Sequence, residues 1–230
     1  GSFDYDAVFE KHDNVPWKYK TYSGITTAVI EASDGRMVAP VSTKYWFDHT
    51  GIPANMQKLT SIDLNGLSGE RLENMRGMFL QAHQLSTISF PKDFDTSHVT
   101  DMSEMFSWTG KLTRITGLAN WNTSNVTTME SMFNRSENLT EIDSVANWDT
   151  SNVTNMKWLF NRCHKLQSVD VSNWNTSRVT NMQQVFNRCL SLEKIDVSKW
   201  DTSNVTDMQM MFKSCTKLKA LDLSNWDTSK

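Results

Sequence analysis

Residues 147–172 read NWDTSNVTNMKWLFNRCHKLQSVDVS, and this stretch decides the fold because the chain repeats it. Residues 173–198 (NWNTSRVTNMQQVFNRCLSLEKIDVS) restate it 26 positions on, and residues 199–224 (KWDTSNVTDMQMMFKSCTKLKALDLS) do so again. Residues 120–146 are the same unit lengthened by one residue. Its markers keep step far upstream: Phe79, Phe106, Phe133, Phe160, Phe186 and Phe212 lie 26 or 27 apart, as do Trp121, Trp148, Trp174, Trp200 and Trp226. Self-similarity at such a period marks a solenoid, in which each unit buries its apolar face only against its neighbours. Matching letters should therefore meet in space.

Within a unit the apolar spacing changes. Met156, Leu159, Phe160 and Cys163 fall at i, i+3, i+4 and i+7, as do Met182, Val185, Phe186 and Cys189, and Met208, Met211, Phe212 and Cys215. This spacing predicts one short helix per repeat. Thr154, Thr180 and Thr206, two residues ahead, would cap its first turn. The period then falls to two. Val169 and Val171, Ile195 and Val197, and Leu221 and Leu223 share one face, with Asp170, Asp196 and Asp222 on the other. That predicts one short strand per repeat, pairing in parallel with its counterparts in adjacent coils. In the longer units the extra residue falls between strand and Trp, where we expect a bulge that still turns Leu118 and Val145 inward.

The repeat covers residues 58–230 in about six units and breaks off mid-unit at Asp227, Thr228, Ser229 and Lys230, so the sequence reads as a truncated piece of a longer repeat protein. Gly1 and Ser2 resemble the scar of a removed tag. Residues 1–57 lack the repeat and read as an N-terminal α+β cap over the apolar end of the first coil. Residues 17–22 alternate aromatic and polar, residues 25–31 are β-branched, and a turn at Ser33, Asp34 and Gly35 precedes residues 37–41, a pattern that fits a small sheet. Residues 42–49 predict a short helix, capped by Ser42 or Thr43 and ended by Gly51 and Pro53. The aromatics Trp17, Tyr19, Tyr22, Tyr45, Trp46 and Phe47 fit packing against the first coil better than a ligand-stacking cluster.

Basic and acidic residues number 23 and 26, well mixed, for a net charge of −3, so no basic face speaks for nucleic acid or an anionic membrane. No apolar run approaches the roughly 20 residues of a membrane span. Cys163, Cys189 and Cys215 hold one position of three successive units. An odd, evenly spaced set argues for a ladder of buried thiols over a disulfide framework, a metal pair or a redox site. His12, His49, His83, His98 and His164 show no metal-ligand spacing, and no phosphate loop, nucleophile elbow or paired catalytic carboxylates stand out. We therefore expect no enzyme activity, no metal and no cofactor.

With L-x-x-[LIV]-D-[LV]-S-[NK]-W-[DN]-T-S-x-V-T-x-M-x-x-[MLV]-F laid out, residues 58–230 resemble the BspA-type leucine-rich-repeat surface proteins, in the long-repeat version of lactobacilli and related bacteria. The first units depart from the pattern, with Phe94 in place of Trp and Leu67-Ser68-Gly69-Glu70 in place of Trp-Asp-Thr-Ser. The resemblance implies an α/β solenoid, a leucine-rich-repeat-like right-handed coil. It also implies an exported protein, anchored to the bacterial cell wall or secreted, that adheres to a host matrix or mucus protein or to a surface glycan. It offers no catalytic motif.

Candidate binding residues are those that repeat outside the core. Asp143, Asp170, Asp196 and Asp222 form an outward carboxylate ladder, at a spacing where neighbouring charges repel by about 1 kcal/mol in water. Either a cation or a partner's basic groups lie along it, or Ser172, Ser198, Ser224, Lys194 and backbone donors satisfy each carboxylate. Arg114, Glu141 and Lys194 share that face and vary from coil to coil. The Asp149-Thr150-Ser151, Asn175-Thr176-Ser177 and Asp201-Thr202-Ser203 stretches interchange Asp and Asn at one position, which points to turn capping through a shared side-chain oxygen. The N-x-[ST] sequons at Asn122, Asn125, Asn134, Asn138, Asn152, Asn175 and Asn204 read as by-products of the repeat. The leading expectation is a monomeric, non-enzymatic adhesin module binding along the strand face. The alternative is a stalk that holds another domain away from the wall, and an enzyme housed in residues 3–57 is the weakest reading.

Overall fold

The computed structural model describes residues 26–30, 37–48 and 58–230. Residues 17–22, the turn at Ser33 to Gly35, His12, His49, Gly51 and Pro53 lie outside them. Five strands, β1 (Thr27–Val29), β2 (Ser61–Asp63), β3 (Thr87–Ser89), β4 (Arg114–Thr116) and β5 (Glu141–Ile142), form one parallel sheet in chain order. Ile62, Ile88, Ile115 and Ile142 stand opposite one another across it. Elsewhere on each coil Ser42, Asn74, Asp101, Thr128, Asn155, Asn181 and Asp207 bridge in parallel, each to the next. Successive windows thus wind as equivalent turns of a repeat solenoid.

Two aromatic columns run through its core. Phe79, Phe106, Phe133, Phe160 and Phe186 are fully buried and stack with centroids 5.2–5.6 Å apart. Trp121, Trp148, Trp174 and Trp200 stack at 6.0–6.3 Å. Each large ring covers its counterpart one coil away, so burial that a lone unit cannot achieve is supplied by repetition.

The predicted helix is absent: among the described residues none is α-helical. Met156–Leu159 and Phe160–Cys163 are instead two successive four-residue turns, closed by Leu159 N–H to the Met156 carbonyl (3.1 Å) and Cys163 N–H to the Phe160 carbonyl (3.2 Å). Their third residues, Trp158 and Arg162, have φ of 59° and 61°, which makes these turns type II. Every coil carries the same pair, with positive φ at Gly77 and Gln81, Glu104 and Trp108, Ser131 and Arg135, Gln184 and Arg188, and Met210 and Ser214. Apolar residues at i, i+3, i+4 and i+7 are the ends of two abutting turns as much as one face of a helix, so the pattern alone could not choose. The stack chooses, because alternate N–H groups face the next coil: Met156, Trp158, Phe160 and Arg162 donate to the carbonyls of Asn181, Gln183, Val185 and Asn187 at 2.7–3.0 Å. A helix would consume those donors internally.

The strand expectation also needs correcting. Among the described residues strands lie only in the upstream coils, β4 and β5 in the longer ones where a bulge was expected, and none is assigned downstream of β5. Leu112 to Trp121 and Leu139 to Trp148 span nine steps, whereas Leu166 to Trp174 and Leu192 to Trp200 span eight. Both anchors are buried in every case, yet length alone does not set the strand, since Leu59 to Leu67 also spans eight steps and carries β2. Side-chain alternation survives: Val169 and Val171 are buried and Asp170 is exposed. Leu118 and Val145 point inward as expected.

Residues 42–48 are not a helix either. Trp46 N–H closes a turn on the Thr43 carbonyl (3.1 Å), Tyr45 has φ 58°, and Phe47 stacks on Phe79 at 5.5 Å. With β1 paired to β2, this part of the cap is itself a coil of the same geometry. Trp46 and Phe47 are buried in the core, in keeping with the packing role.

Candidate functional site

Because polar residues repeat as faithfully as apolar ones, the solenoid carries rows of hydrogen bonds along its axis. Thr96, Thr123, Thr150, Thr176 and Thr202 are buried and each hydroxyl donates to a carbonyl of the following coil at 2.9–3.0 Å. Thr154, Thr180 and Thr206, expected as helix caps, bond the carbonyls of Thr127, Thr154 and Thr180 of the preceding coil, at 3.2 Å. The indole N–H of Trp148, Trp174, Trp200 and Trp226 reaches the carbonyls of Leu118, Val145, Val171 and Val197. Cys163, Cys189 and Cys215 donate to the carbonyls of Phe133, Phe160 and Phe186, a ladder that Ser136 continues with its bond to Phe106. Burial pushes the thiols of Cys163 and Cys189 far up, leaving them protonated and unreactive.

The Asx stretches cap turns. Oδ1 of Asp149, Asn175 and Asp201 accepts the N–H of Ser151, Ser177 and Ser203 at 2.9–3.0 Å. The hydroxyls of Ser151 and Ser203, together with these amides, hold the Asp149 and Asp201 carboxyls below the usual range. Sequon asparagines serve the backbone too: Asn125, Asn152 and Asn204 donate to the carbonyls of Ser97, Ser124 and Ser177.

On the strand side the outward carboxylates are engaged. Oδ1 of Asp170 and of Asp196 accepts both the N–H and the hydroxyl of Ser172 and Ser198, and Asp222 accepts the N–H of Ser224. Serine hydroxyl and amide together lower the pKa of all three. Asp143 departs from the row. Its Oδ2 accepts the N–H of Gly117 at 2.7 Å, a position kept as glycine by φ 88° and by the Phe90 carbonyl oxygen, which would lie 2.5 Å from a Cβ. Arg114 pairs with Glu141 across β4 and β5 at 3.2 Å.

The candidate residues therefore fall into two groups. Arg114, Glu141 and Asp143, with Ile142 and Ser168, line an open hollow of about 260 Å³ where the sheet ends at β5. Asp170, Lys194 and Asp196 line a second hollow of about 380 Å³ beside Val169 and Ile195. Asp222 lines neither. Among the described residues no three His, Cys, Asp or Glu side chains cluster as a metal site.

Two columns escaped the sequence reading. Asn161 donates to Asn134 Oδ1 at 2.8 Å and Asn187 to Asn161 Oδ1 at 2.9 Å, an amide ladder buried in the turn ribbon. Beside it Arg135, Arg162 and Arg188 form a column of their own. The signal was present as an Asn-Arg pair at 134–135, 161–162 and 187–188.

The family model described as "Mycoplasma protein of unknown function, DUF285" matches residues 50–144 and again 137–230. The chain belongs to this family. The first DUF285 segment takes in β2 to β5 and the longer coils, and the second takes in the shorter coils downstream. What the two segments share is the set of core columns and the turn ribbon, whereas the second holds no assigned strand beyond β5. Neither the curated proteins nor the solved structures give a match. Among the described residues no helix is long and apolar enough to cross a membrane.

Proposed function

We propose that this DUF285 repeat chain is a non-enzymatic interaction module of a bacterial surface protein, exported and acting as a monomer. It engages a host matrix or mucus protein, or a surface glycan, along its strand side. The observation that carries this reading is the contrast between constant interior columns and changing outward residues on one face. Thr87 and Ser89, Arg114 and Thr116, Glu141 and Asp143, Ser168 and Asp170, and Lys194 and Asp196 succeed one another over the same core. A surface that only had to be soluble has no need of two hollows with distinct linings, and clefts with a few convergent polar groups are where ligands bind. The resemblance to BspA-type leucine-rich-repeat surface proteins, carried by the WDTSNVTDM string at 200–208, supports the same reading.

Many weak contacts along an extended face suit such a surface, with Arg114, Glu141, Asp143, Asp170, Lys194 and Asp196 as the contacting groups and Asp222 at its edge. The test is capture of immobilised matrix and mucus proteins by the chain and by a variant carrying Asp143→Asn, Asp170→Asn, Asp196→Asn and Asp222→Asn. Loss of capture with an unchanged melting temperature supports the reading, and undiminished capture sinks it. A stalk is the second reading, favoured by the uniform Thr, Asn and Trp rows; it predicts no capture by either protein.

A further inference from the structure

The turn ribbon carries a charge pattern that overall composition conceals. Arg135, Arg162 and Arg188 occupy the third position of the second turn in three consecutive coils, at φ 60°, 61° and 59°. Backbone bonds fix their register: Arg135 N–H reaches the Asn161 carbonyl, Arg162 N–H that of Asn187 and Arg188 N–H that of Lys213, at 2.7–2.8 Å. The three side chains therefore rise from one line at the coil-to-coil spacing, roughly 4.8 Å. Among the described residues none of the three forms an ion pair. The facing groups are Glu137, which attracts Arg162, His164, which lies 4.0 Å from Glu137, and the neighbouring Lys165 and Lys213.

Two features make arginine an unexpected choice here. The left-handed backbone favours glycine or asparagine, and Arg162 is made harder to keep charged by partial burial and then by Arg135 and Arg188 on either side. Neither the fold nor the neighbours require it, since Gln81 and Ser214 hold the same position elsewhere. Locally unfavourable residues kept in register point to a use outside the fold.

We propose that Arg135, Arg162 and Arg188, extended by Lys213, form a track for a linear sulfated polysaccharide lying along the solenoid axis. Guanidinium forks match sulfate oxygens two bonds at a time, and a row at one charge per coil suits a chain with closely spaced anionic groups. Single-stranded nucleic acid fits less well, because it is held by bases stacking on open aromatic faces. Each of the two indoles beside the track already has a cation on one face, Trp108 from Arg135 at 3.9 Å and Trp158 from Lys157 at 4.3 Å, although Trp108 stays 39 % exposed. The track lies on the turn side and does not depend on the strand-side reading.

The test is binding of size-defined heparin fragments by the full chain at several salt concentrations. The variant R135Q/R162Q/R188Q, for which Gln81 is the internal precedent, is compared with a control of equal charge change, K92Q/K199Q/K219Q. We expect roughly tenfold or greater weakening and a shallower salt dependence for the arginine variant alone, with melting lowered only by the lost contact of Arg135 with the Trp108 ring. R188Q, at the most exposed of the three sites, should show a partial loss and keeps the test available if the triple variant folds poorly. Equal weakening in the control, no weakening in either arginine variant, or tighter binding of a single-stranded oligonucleotide than of heparin would each overturn the proposal. Loss of heparin binding with matrix-protein capture intact separates this track from the strand side.

Discussion

Proline tests a ribbon of type II turns more sharply than any truncation. Lys157 is the second residue of the turn Met156–Leu159, where the backbone suits a proline ring. Its N–H donates only to the Asn155 side chain, at 3.0 Å. Lys157→Pro forfeits that bond, at about 0.5–1.5 kcal/mol, and the contact of its ammonium with the Trp158 ring, at about 0.5–1 kcal/mol. Restriction of the unfolded chain returns about 0.4–1 kcal/mol. The net loss is near 1 kcal/mol. Trp158→Pro, one residue on, is different in kind. It forces a residue at φ 59° to the opposite sign and deletes the N–H bond to Gln183 of the next coil, 2.9 Å long. Together these cost about 3 kcal/mol or more. In the helix expected from the Thr154 cap, Lys157 would fall in the first turn, where proline is tolerated as well, so the pair tests the turn geometry itself. Urea denaturation followed by circular dichroism reads the difference. Equal destabilisation by the two variants would refute the turn ribbon.

Three further outcomes follow from the same geometry. Asp149, Asp170, Asp196, Asp201, Asp222 and Asp227 have folded pKa values below the unfolded ones, so their stabilisation is complete above about pH 4 and fades as pH falls through the lowered values. Asp149→Asn, which keeps the capping oxygen, should leave melting at pH 7 nearly unchanged and blunt the acid loss; melting curves at pH 2–7 check this. Phe160→Ala, stacked on both sides, should cost about 3–5 kcal/mol, and Phe212→Ala, packed on Phe186 alone in its column, clearly less, as read by denaturant midpoints. Alkylation of the native chain should label the half-buried Cys215 well before Cys163 or Cys189, and mass spectrometry of the digest reports the order.

The period and both aromatic columns were legible because a stack places identical residues over one another, and spacing alone then gives the contacts. So was the capping role of Asp149 and Asn175, since their interchange points to an oxygen acceptor and not to charge. The helix was misread for a reason internal to the pattern: Met156, Leu159, Phe160 and Cys163 meet the demands of two structures. The deciding fact, that alternate N–H groups face another coil, is not a property of any one unit. The loss of strands after β5 was not legible, because Leu59 to Leu67, which carries β2, and Leu166 to Trp174, which carries no strand, have the same eight-step spacing. Arg135, Arg162 and Arg188 were overlooked because net charge and mixing were judged along the chain, and a column is visible only across it.

The hydrogen-bond rows are directional, with Thr150 reaching forward to Asn175 and Trp174 reaching back to Val145. Each turn of the coil thus shows its successor the same surface that its predecessor showed to it. A duplicated or deleted gene segment of one unit would meet a ready-made junction at both cuts, so the reach of such a protein can drift by recombination without any new interface having to evolve.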